Sequence, residues 1–335
     1  MNNNESPLLT IAIPTFNRAA YLELCLSKIN EEIESLSINQ RCLVKIIISD
    51  NASDDGTSSV ISKYRLTAPE RIEIIRNAVN IGPDKNITQC YVVATTPYVW
   101  VLGDDDVILS GGLRLILDVL VNQDVDIIYL EGYSFLNHYL DEPKRRRGEK
   151  GLIEYSNALD FVRYSHVMLT FLTALIVRTG VNVAHYNKVV EGTNLTQLGW
   201  VFPIVRDGKK FVVIKNRVYA AKLGTSGGYG PIKVFGNNLC NIANIIFEKH
   251  MPYAKAIQNG VIVTWFPNFI LNFRTDKQIA EYLSEDIAAD LRSAFHENWR
   301  YYFFLKPLIS LPIKIASQYY KVIRLSRLLF RSFLI

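Results

Sequence analysis

Asp104, Asp105 and Asp106 stand in a row immediately after Gly103, and the run before them, Tyr98 to Leu102, is β-branched, aromatic and uncharged. That run reads as a buried strand. The three carboxylates therefore emerge at a strand's carboxyl end, where open parallel α/β sheets take their ligands. Adjacent carboxylates repel one another, and in a confined site at least one takes up a proton unless a cation is close. A divalent metal is the simplest such cation. Oxygen ligands suit Mg²⁺ or Mn²⁺, which typically complete their shells with phosphate oxygens of a substrate. The alternative for the same residues is a solvated turn, or an N-cap for the helix that begins near Gly112, since aspartate is favoured in both roles.

Three further polar clusters occupy equivalent places. Leu8 to Ile13 is a short apolar strand ending at Pro14-Thr15-Phe16-Asn17-Arg18, and Tyr21 to Ile33 follows with apolar residues at helical spacing (Leu22, Leu26, Ile29, Ile33). A second strand, Cys42 to Ile48, runs into Ser49-Asp50-Asn51-Ala52-Ser53-Asp54-Asp55-Gly56-Thr57, where Thr57 or Ser58 can cap the next helix. Arg71 to Arg76 is a third strand. Asn77 to Asn86 then leads through Gly82-Pro83 into a helix from about Asp84 to Ala94, a placement that suits proline because its missing N–H would be unpaired there anyway. With the aspartate strand as the fourth, strand and helix alternate as in a doubly wound parallel sheet.

In such a sheet the four clusters converge on one edge. Asp50 and Asn51 offer an acceptor and an amide to a base or ribose, the turn at Gly82 with its helix amino terminus suits an anion, and a metal at Asp106 would bridge to a diphosphate. Together they describe a site for a nucleotide diphosphate compound, without the GxGxxG fingerprint of dinucleotide enzymes or the Walker lysine of P-loop enzymes.

Further along, Asp126 to Leu130, Phe171 to Val177, Phe211 to Ile214 and Val218 to Ala221 read as strands, Glu191 to Trp200 starts a helix through Arg206, and the chain is helical from Val234 onward. The charged loop Asp141 to Gly151, with Lys144, Arg145, Arg146 and Arg147, reads as a solvated surface in preference to a phosphate or headgroup site. Lys222, a candidate for the same nucleotide site, leads into Gly224 to Gly230. Four glycines in those seven residues make either a loop that closes over a site or an inert connector.

Composition bounds the class. The 335 residues, 49% hydrophobic and 21% charged, describe a globular chain with ample core. The start, MNNNESPLL, lacks the basic region of a secretory signal, and no stretch of about 18 uninterrupted apolar residues is present. Cys25, Cys42, Cys90 and Cys240 are scattered without metal-ligand spacing. The expectation is a reduced, cytoplasmic protein with no nucleic-acid partner. The net charge of +5 belongs to the tail: from Asn298 onward there are seven Lys or Arg and no acid. In a helix from Lys314, the residues Lys314, Lys321, Arg324, Arg327 and Arg331 share one side, with Ile315, Tyr319, Val322, Ile323, Leu329, Phe330 and Phe333 largely opposite. Such a helix lies in the headgroup region of an anionic membrane. The alternative is a terminal helix packed on the rest of the chain with its basic face solvated.

The ordered motifs PTFNR, SDNASDDGT, NIGPDKN and GDDD resemble the family 2 glycosyltransferases of GT-A fold, over roughly the first two thirds of the chain. Within that family, ISDNASDDGT, NIGPDKN, GDDD and EGTNLTQ are most similar to the O-antigen abequosyltransferases, which transfer a 3,6-dideoxyhexose from a CDP-sugar. The resemblance implies an α/β fold, a Rossmann-like and mostly parallel sheet with helices on both faces, as residues 1–230, and a helical C-terminal extension with the basic tail as residues 231–335. It implies that Pro14, Thr15, Asn17 and Arg18 frame the nucleotide and that Asp50 accepts from the base. Asn80, Gly82 and Asn86 would border the diphosphate and ribose. Asp105 would contact ribose or sugar, and Asp106 would hold the metal, while Asp104 is as well explained by a capped turn.

It further implies a lipid-linked oligosaccharide acceptor, a role in O-antigen or other surface polysaccharide synthesis, and attachment to the inner face of the cell membrane. One departure matters. Inverting members usually carry a Glu-Asp pair after the acceptor loop, whose aspartate is the general base, and here the stretch reads GTNLTQLGW. Glu191 could substitute, or retention could dispense with a base. Open alternatives are an inverting hexosyl- or rhamnosyltransferase using a UDP-, GDP- or dTDP-sugar, a nucleotidyltransferase, and a scaffold without catalysis.

Overall fold

A computed structural model describes residues 6–144, 148, 150–224, 230–275 and 286–334, with side chains through residue 327. The chain divides into two compact units. The first comprises Met1–Ala158, Thr170–Gly192 and Thr196–Ser226, and the second Leu159–Leu169, Thr193–Leu195 and Gly227–Ile335.

The first unit is built on nine strands: β1 (Leu9–Thr15), β2 (Val44–Asp50), β3 (Ile72–Arg76), β4 (Tyr98–Val101), β5 (Val107–Ile108), β6 (Ile127–Phe135), β7 (Leu152–Tyr155), β8 (Leu175–Arg178) and β9 (Phe211–Lys222). Their order is β3-β2-β1-β4-β8-β6-β9-β5, with β7 also on β9. β3, β2, β1 and β4 run parallel. β8 enters antiparallel between β4 and β6, β9 lies parallel to β6, and β5 and β7 are antiparallel to β9. Six strands thus share one direction, and the expected mostly parallel α/β sheet is present. β1 and β2 are buried along nearly their whole length, as strands covered on both faces must be.

Among the described residues the α-helices are α1 (Ala19–Ser35), α2 (Ile38–Arg41), α3 (Thr57–Thr67), α4 (Pro83–Val92), α5 (Gly112–Asn122), α6 (Ala158–Ser165), α7 (Asn187–Val190), α8 (Leu198–Asp207), α9 (Leu239–Ile246), α10 (Met251–Gly260), α11 (Phe266–Thr275), α12 (Ile287–Phe295), α13 (Lys306–Ser310) and α14 (Ile313–Leu334). α1 buries Leu22, Leu26, Ile29 and Ile33, the stripe its periodicity predicts, and Cys25 in addition. The same face carries Glu32, 5% exposed, whose carboxylate accepts from the backbone N–H of Gly111 at 2.9 Å and of Leu113 at 3.1 Å. A carboxylate from a different helix thereby caps α5, so the aspartates after β4 are free of that duty. The start of α3 is likewise served by Asp55, which accepts from the Thr57 N–H at 2.9 Å, and not by Thr57 or Ser58.

Three local readings are corrected. Leu172–Ala174 is a 3₁₀ turn, so the strand expected from Phe171 begins only at Leu175. The indole N–H of Trp100 donates to the Thr173 carbonyl at 2.9 Å, which ties that backbone to the end of β4 instead of a ladder. Phe211 to Ala221 is one strand, because the polar Lys215, Asn216 and Arg217 are absorbed at register shifts opposite Leu130, Glu131 and Gly132. Gly132 is required there, since a Cβ would lie 2.5 Å from the Tyr219 carbonyl oxygen. Residues 191–197 are a turn between α7 and α8 and not a helix start, with Gly192 and Asn194 at positive φ.

The second unit is helical, and its core includes the buried rings of Phe247, Phe266, Phe295 and Phe304. α14 buries Ala316 and Ile323, whereas Ile315, Val322 and Leu325 are exposed beside the exposed Lys314, Lys321 and Arg324. The apolar set therefore divides into a packed seam and an exposed stripe that adjoins the basic residues. Among the described residues no helix is long and apolar enough to cross a membrane. Residues 225–229 of the glycine loop and Arg145, Arg146 and Arg147 lie outside the described residues, as do the side chains of Leu329, Phe330, Arg331 and Phe333.

Candidate active site

The parallel register sets Thr15 beside Asp50 and Asp50 beside Arg76, so the segments after β1, β2 and β3 emerge together. Hydrogen bonds between these segments then hold them. Asn17, at φ 53°, donates its backbone N–H to Ser53 Oγ at 2.9 Å. Its side chain donates to Asp54 Oδ1 at 2.7 Å and accepts from the Asp54 N–H at 2.9 Å. Asp50, 1% exposed, accepts from the Ser53 N–H and from the Arg76 guanidinium, both at 2.9 Å. Arg76 also reaches the Ser53 carbonyl at 2.8 Å.

Asn51 organises the next turn. Its Oδ1 accepts from the Ile81 N–H and the Asn77 amide, both at 3.0 Å, and its Nδ2 donates to Asn80 Oδ1 at 2.8 Å. Asn80 in turn accepts from the Gly82 N–H at 2.9 Å. Gly82 has φ 85° and precedes Pro83 at the first position of α4, a conformation that a side chain would strain. Beneath it Asn86, 3% exposed, accepts from Ser49 Oγ at 2.7 Å and donates to the Ser49 carbonyl at 3.0 Å. Asn17, Asn51, Asn80 and Asn86 thus shape the rim, while Pro14 and Thr15 end β1 at its base.

The acidic turn lies after β4. One guanidinium nitrogen of Arg18 donates to Asp104 Oδ1 at 3.1 Å and to Asp105 Oδ2 at 2.8 Å, linking the first polar cluster to the last. Asp104 and Asp106 are 5% and 4% exposed. Asp106 Oδ1 accepts the Lys222 backbone N–H at 3.0 Å, and Oδ2 accepts the Thr173 hydroxyl, which itself accepts the Gly103 N–H at 3.1 Å. Burial, with the Asp105 charge behind it, pushes Asp106 up to about 7. Burial raises Asp104 to about 6, against the pull of Arg18 and the nearby Thr15 hydroxyl. Below them the Cys25 thiol is driven well up, by burial first and then by the three carboxylates.

This donor set fits a hard divalent cation. Two buried carboxyls with raised proton affinity are groups whose protons such an ion would replace. Asp106 keeps a further lone pair on each oxygen, and its two hydrogen bonds fix its orientation. Among the described residues no three His, Cys, Asp or Glu side chains form a ligand cluster by themselves. An ion here would therefore take one or two carboxylates from the chain and complete its shell with phosphate oxygens and water.

Other candidates stand differently. The Lys222 side chain donates to the Leu223 carbonyl at 2.7 Å, so the lysine touches Asp106 through its backbone alone. Glu191 follows α7 and pairs with Lys85 Nζ at 3.3 Å, with both side chains more than half exposed. Gln197 is buried and donates to the Thr170 carbonyl, and Thr196 bonds Thr88 at 2.6 Å. Two residues of the site were not legible in sequence: Thr173, a lone hydroxyl within an apolar run, and Arg76, which reads as an ordinary strand end.

A family model described as Glycosyl transferase family 2 matches residues 10–181. Over 116 residues the chain is 37% identical to abequosyltransferase RfbV of Salmonella typhimurium, covering 35% of this chain and 33% of the relative. Over 113 residues it is 33% identical to the GalNAc(5)-diNAcBac-PP-undecaprenol beta-1,3-glucosyltransferase of Campylobacter jejuni, covering 33% of this chain and 34% of the relative. The match thus spans about a third of the length of either curated relative. In fold the chain resembles S. aureus TarS 1-349, solved in complex with UDP-GlcNAc, with a TM-score of 0.59 and 15% identity over 96% of this chain and 92% of that one.

The buried acids set a sign for pH dependence. Asp104 and Asp106 titrate above the ordinary carboxyl range, so the folded chain holds their protons more tightly than the unfolded chain does. Their contribution to stability is full below about pH 4 and is lost as pH rises through about 6 to 7. In EDTA, urea unfolding should show this contribution falling by about 4 kcal/mol between pH 5 and pH 8, most of it from Asp106. Asp106→Asn should flatten that fall and be the more stable protein at pH 8. If the two proteins have the same pH profile, Asp106 is not a buried acid of raised affinity.

Proposed function

The chain belongs to glycosyl transferase family 2, and we propose that it moves a deoxy- or dideoxyhexose from a nucleotide-diphosphate sugar, CDP-abequose-like, to a lipid-linked saccharide. The observation that carries this reading is Asp106: buried, doubly hydrogen-bonded, raised in proton affinity, and part of an acidic turn that Arg18 ties to the first nucleotide loop. A carboxylate so held suits a metal and its diphosphate ligand better than it suits solvent. The name of the Campylobacter jejuni relative, a glucosyltransferase on a PP-undecaprenol-linked saccharide, supports a lipid-linked acceptor, and that of the Salmonella relative supports an abequosyl-type donor sugar.

Residues 1–230 would carry the reaction. In this reading the nucleotide lies across the rim, with Asp50, already oriented by Arg76, facing the base, and the turn at Gly82 at the amino end of α4 facing the diphosphate. Asp105 meets the ribose or the sugar. Thr173 and the Lys222 amide hold Asp106 in one orientation, so no reorganisation accompanies the reaction. A bound Mg²⁺ or Mn²⁺ supplies Lewis acidity toward the departing diphosphate. Gln197 occupies the stretch in which inverting relatives keep an aspartate base, and its amide is engaged with Thr170. Glu191 is paired at the surface with Lys85. Retention of configuration, with the leaving phosphate accepting the acceptor's proton, requires neither residue as a base.

The donor is tested by thermal shift with a panel of CDP-, UDP-, GDP- and dTDP-sugars and nucleoside triphosphates, with and without Mn²⁺. A sugar nucleotide should stabilise only with metal, and Asp106→Ala should lower turnover by about 10²-fold or more while remaining folded. Full turnover in EDTA would remove the metal from the reaction. Stabilisation by a triphosphate alone would turn the assignment to a nucleotidyltransferase, and no response to any nucleotide would turn it to a scaffold.

Stereochemistry is read from the product anomer by NMR. Retention is expected, with Glu191→Gln keeping most of its activity. Inversion together with a loss of about 10²-fold in that variant would instead make Glu191 the base.

Peripheral attachment to a cytoplasmic membrane face rests on α14. Its exposed Ile315, Val322 and Leu325 adjoin Lys314, Lys321 and Arg324, so apolar and cationic groups face outward together. In flotation with anionic liposomes the full chain should rise with the lipid at low salt and less so at high salt, and truncation after Trp299 should abolish the effect. A full chain left in the soluble fraction at low salt would make α14 a packing element.

A further inference from the structure

The helical unit contains an open cavity lined by none of the residues assigned above to the transfer reaction. It measures about 710 Å³ and lies between one face of α12, which presents Ala288, Arg292, Ser293 and His296, and the stretch from Tyr301 to Ser310, which presents Tyr302 and Lys306. Positions 288, 292 and 296 recur every four residues, so they line one side of α12. The charged side chains on this cavity are basic, and among the described residues neither Arg292 nor Lys306 is paired with a carboxylate. Lys306 instead lies 5.5 Å from the centre of the Tyr302 ring. Ser293 and Tyr301, which carry hydroxyls, line the same cavity. Two cations, an imidazole and hydroxyl donors around one volume form a receptor for a phosphate.

The walls also favour an attached hydrocarbon. A second cavity of about 270 Å³ shares Ala288 and Ile309 with the first and is otherwise lined by Ile270, Phe273, Ile287, Arg274 and Asp286. Its two charged residues are engaged within the unit. The Arg274 guanidinium donates to the carbonyls of Leu308 and Leu311, and Asp286 accepts from the N–H groups of Ala288 and Ala289 at 3.1 Å. What remains toward the cavity is aliphatic and aromatic. A basic surface cavity that adjoins a largely apolar one at Ala288 and Ile309 matches a single class of ligand, charged at one end and greasy at the other.

We infer that this double cavity binds an amphiphilic phosphate ester, its phosphate between Arg292 and Lys306 and its hydrocarbon chain along Ile309 toward Ile270 and Phe273. The site is independent of the sugar-nucleotide reading, because every residue in it belongs to the helical unit. It is also distinct from membrane attachment through α14, which contributes no residue to either cavity.

The test is calorimetric titration of the full chain with decyl phosphate below its micelle concentration, beside inorganic phosphate and decanol. Decyl phosphate should bind at least tenfold more tightly than either. Arg292 and Lys306 are exposed, so the double variant Arg292→Ala, Lys306→Ala should keep the wild-type melting temperature while losing tenfold or more in affinity for decyl phosphate. The single variant Lys306→Gln should show a smaller loss in the same direction. Ile309→Gln should weaken decyl phosphate and leave inorganic phosphate unchanged. The inference is overturned if the folded double variant binds decyl phosphate as wild type does, if inorganic phosphate or decanol binds equally well, or if no ligand binds. Sugar-nucleotide stabilisation measured on the same variants should be unaltered, which keeps the outcome separate from that of the transferase assignment.

Discussion

Three carboxylates in a turn that water hardly reaches are the constraint on which the first unit depends. Removing an ionised carboxylate from water is costly unless a partner compensates, and Asp104 and Asp106 are almost fully buried. The fold supplies partial compensation from separate places in the chain: Arg18 from the first loop, Thr173 from the turn before β8, and the Lys222 amide from the end of β9. These partners neither neutralise the cluster nor leave it alone. The acids keep an unusual affinity for protons, the electrostatic setting on which the proposed metal role rests.

The surrounding amides follow from that constraint. The loops of the rim are braced by their own side chains, so it keeps its shape without a ligand. Asn17 fastens the first loop to the second, and Asn51 fastens the second to the turn at Gly82. In sequence these asparagines look like donors for a ligand, and in the fold their side chains bond the backbone and side chains of neighbouring loops. Among the described residues the buried Thr15 hydroxyl is left without a hydrogen-bond partner at the base of this rim. A rim braced in this way reduces the entropy lost on binding.

Glu32 shows the same economy at a distance. Its carboxylate satisfies the orphan N–H groups at the start of α5, which would otherwise compete for the aspartates just upstream. The helical unit is built differently, from packed aromatic rings. It combines a seam of α14 that buries Ala316 and Ile323 with outward residues that are both basic and apolar.

What the sequence determined by itself is the scaffold and the chemistry of its edge. β1, β2 and β4 are continuous apolar runs, each ends in polar residues, and alternation with amphipathic helices leaves a parallel sheet as the economical way to bury them. Hydrophobic patterning is local, so it can be read without coordinates. It was misleading where local appearance and long-range pairing conflict. Lys215 to Arg217 look like a turn but lie within β9, and Leu172 to Ala174 look like a strand but coil to meet β4. Only the tertiary structure decided which polar groups face one another. Thr173 lies 67 residues from Asp106, and Lys222 lies 116. Arg76 reaches Asp50 across neighbouring strands, and Glu191 pairs with Lys85 at the surface. Hydrogen bonds and ion pairs act over a few ångströms in space and have no period along the chain, so no spacing in the sequence announces them.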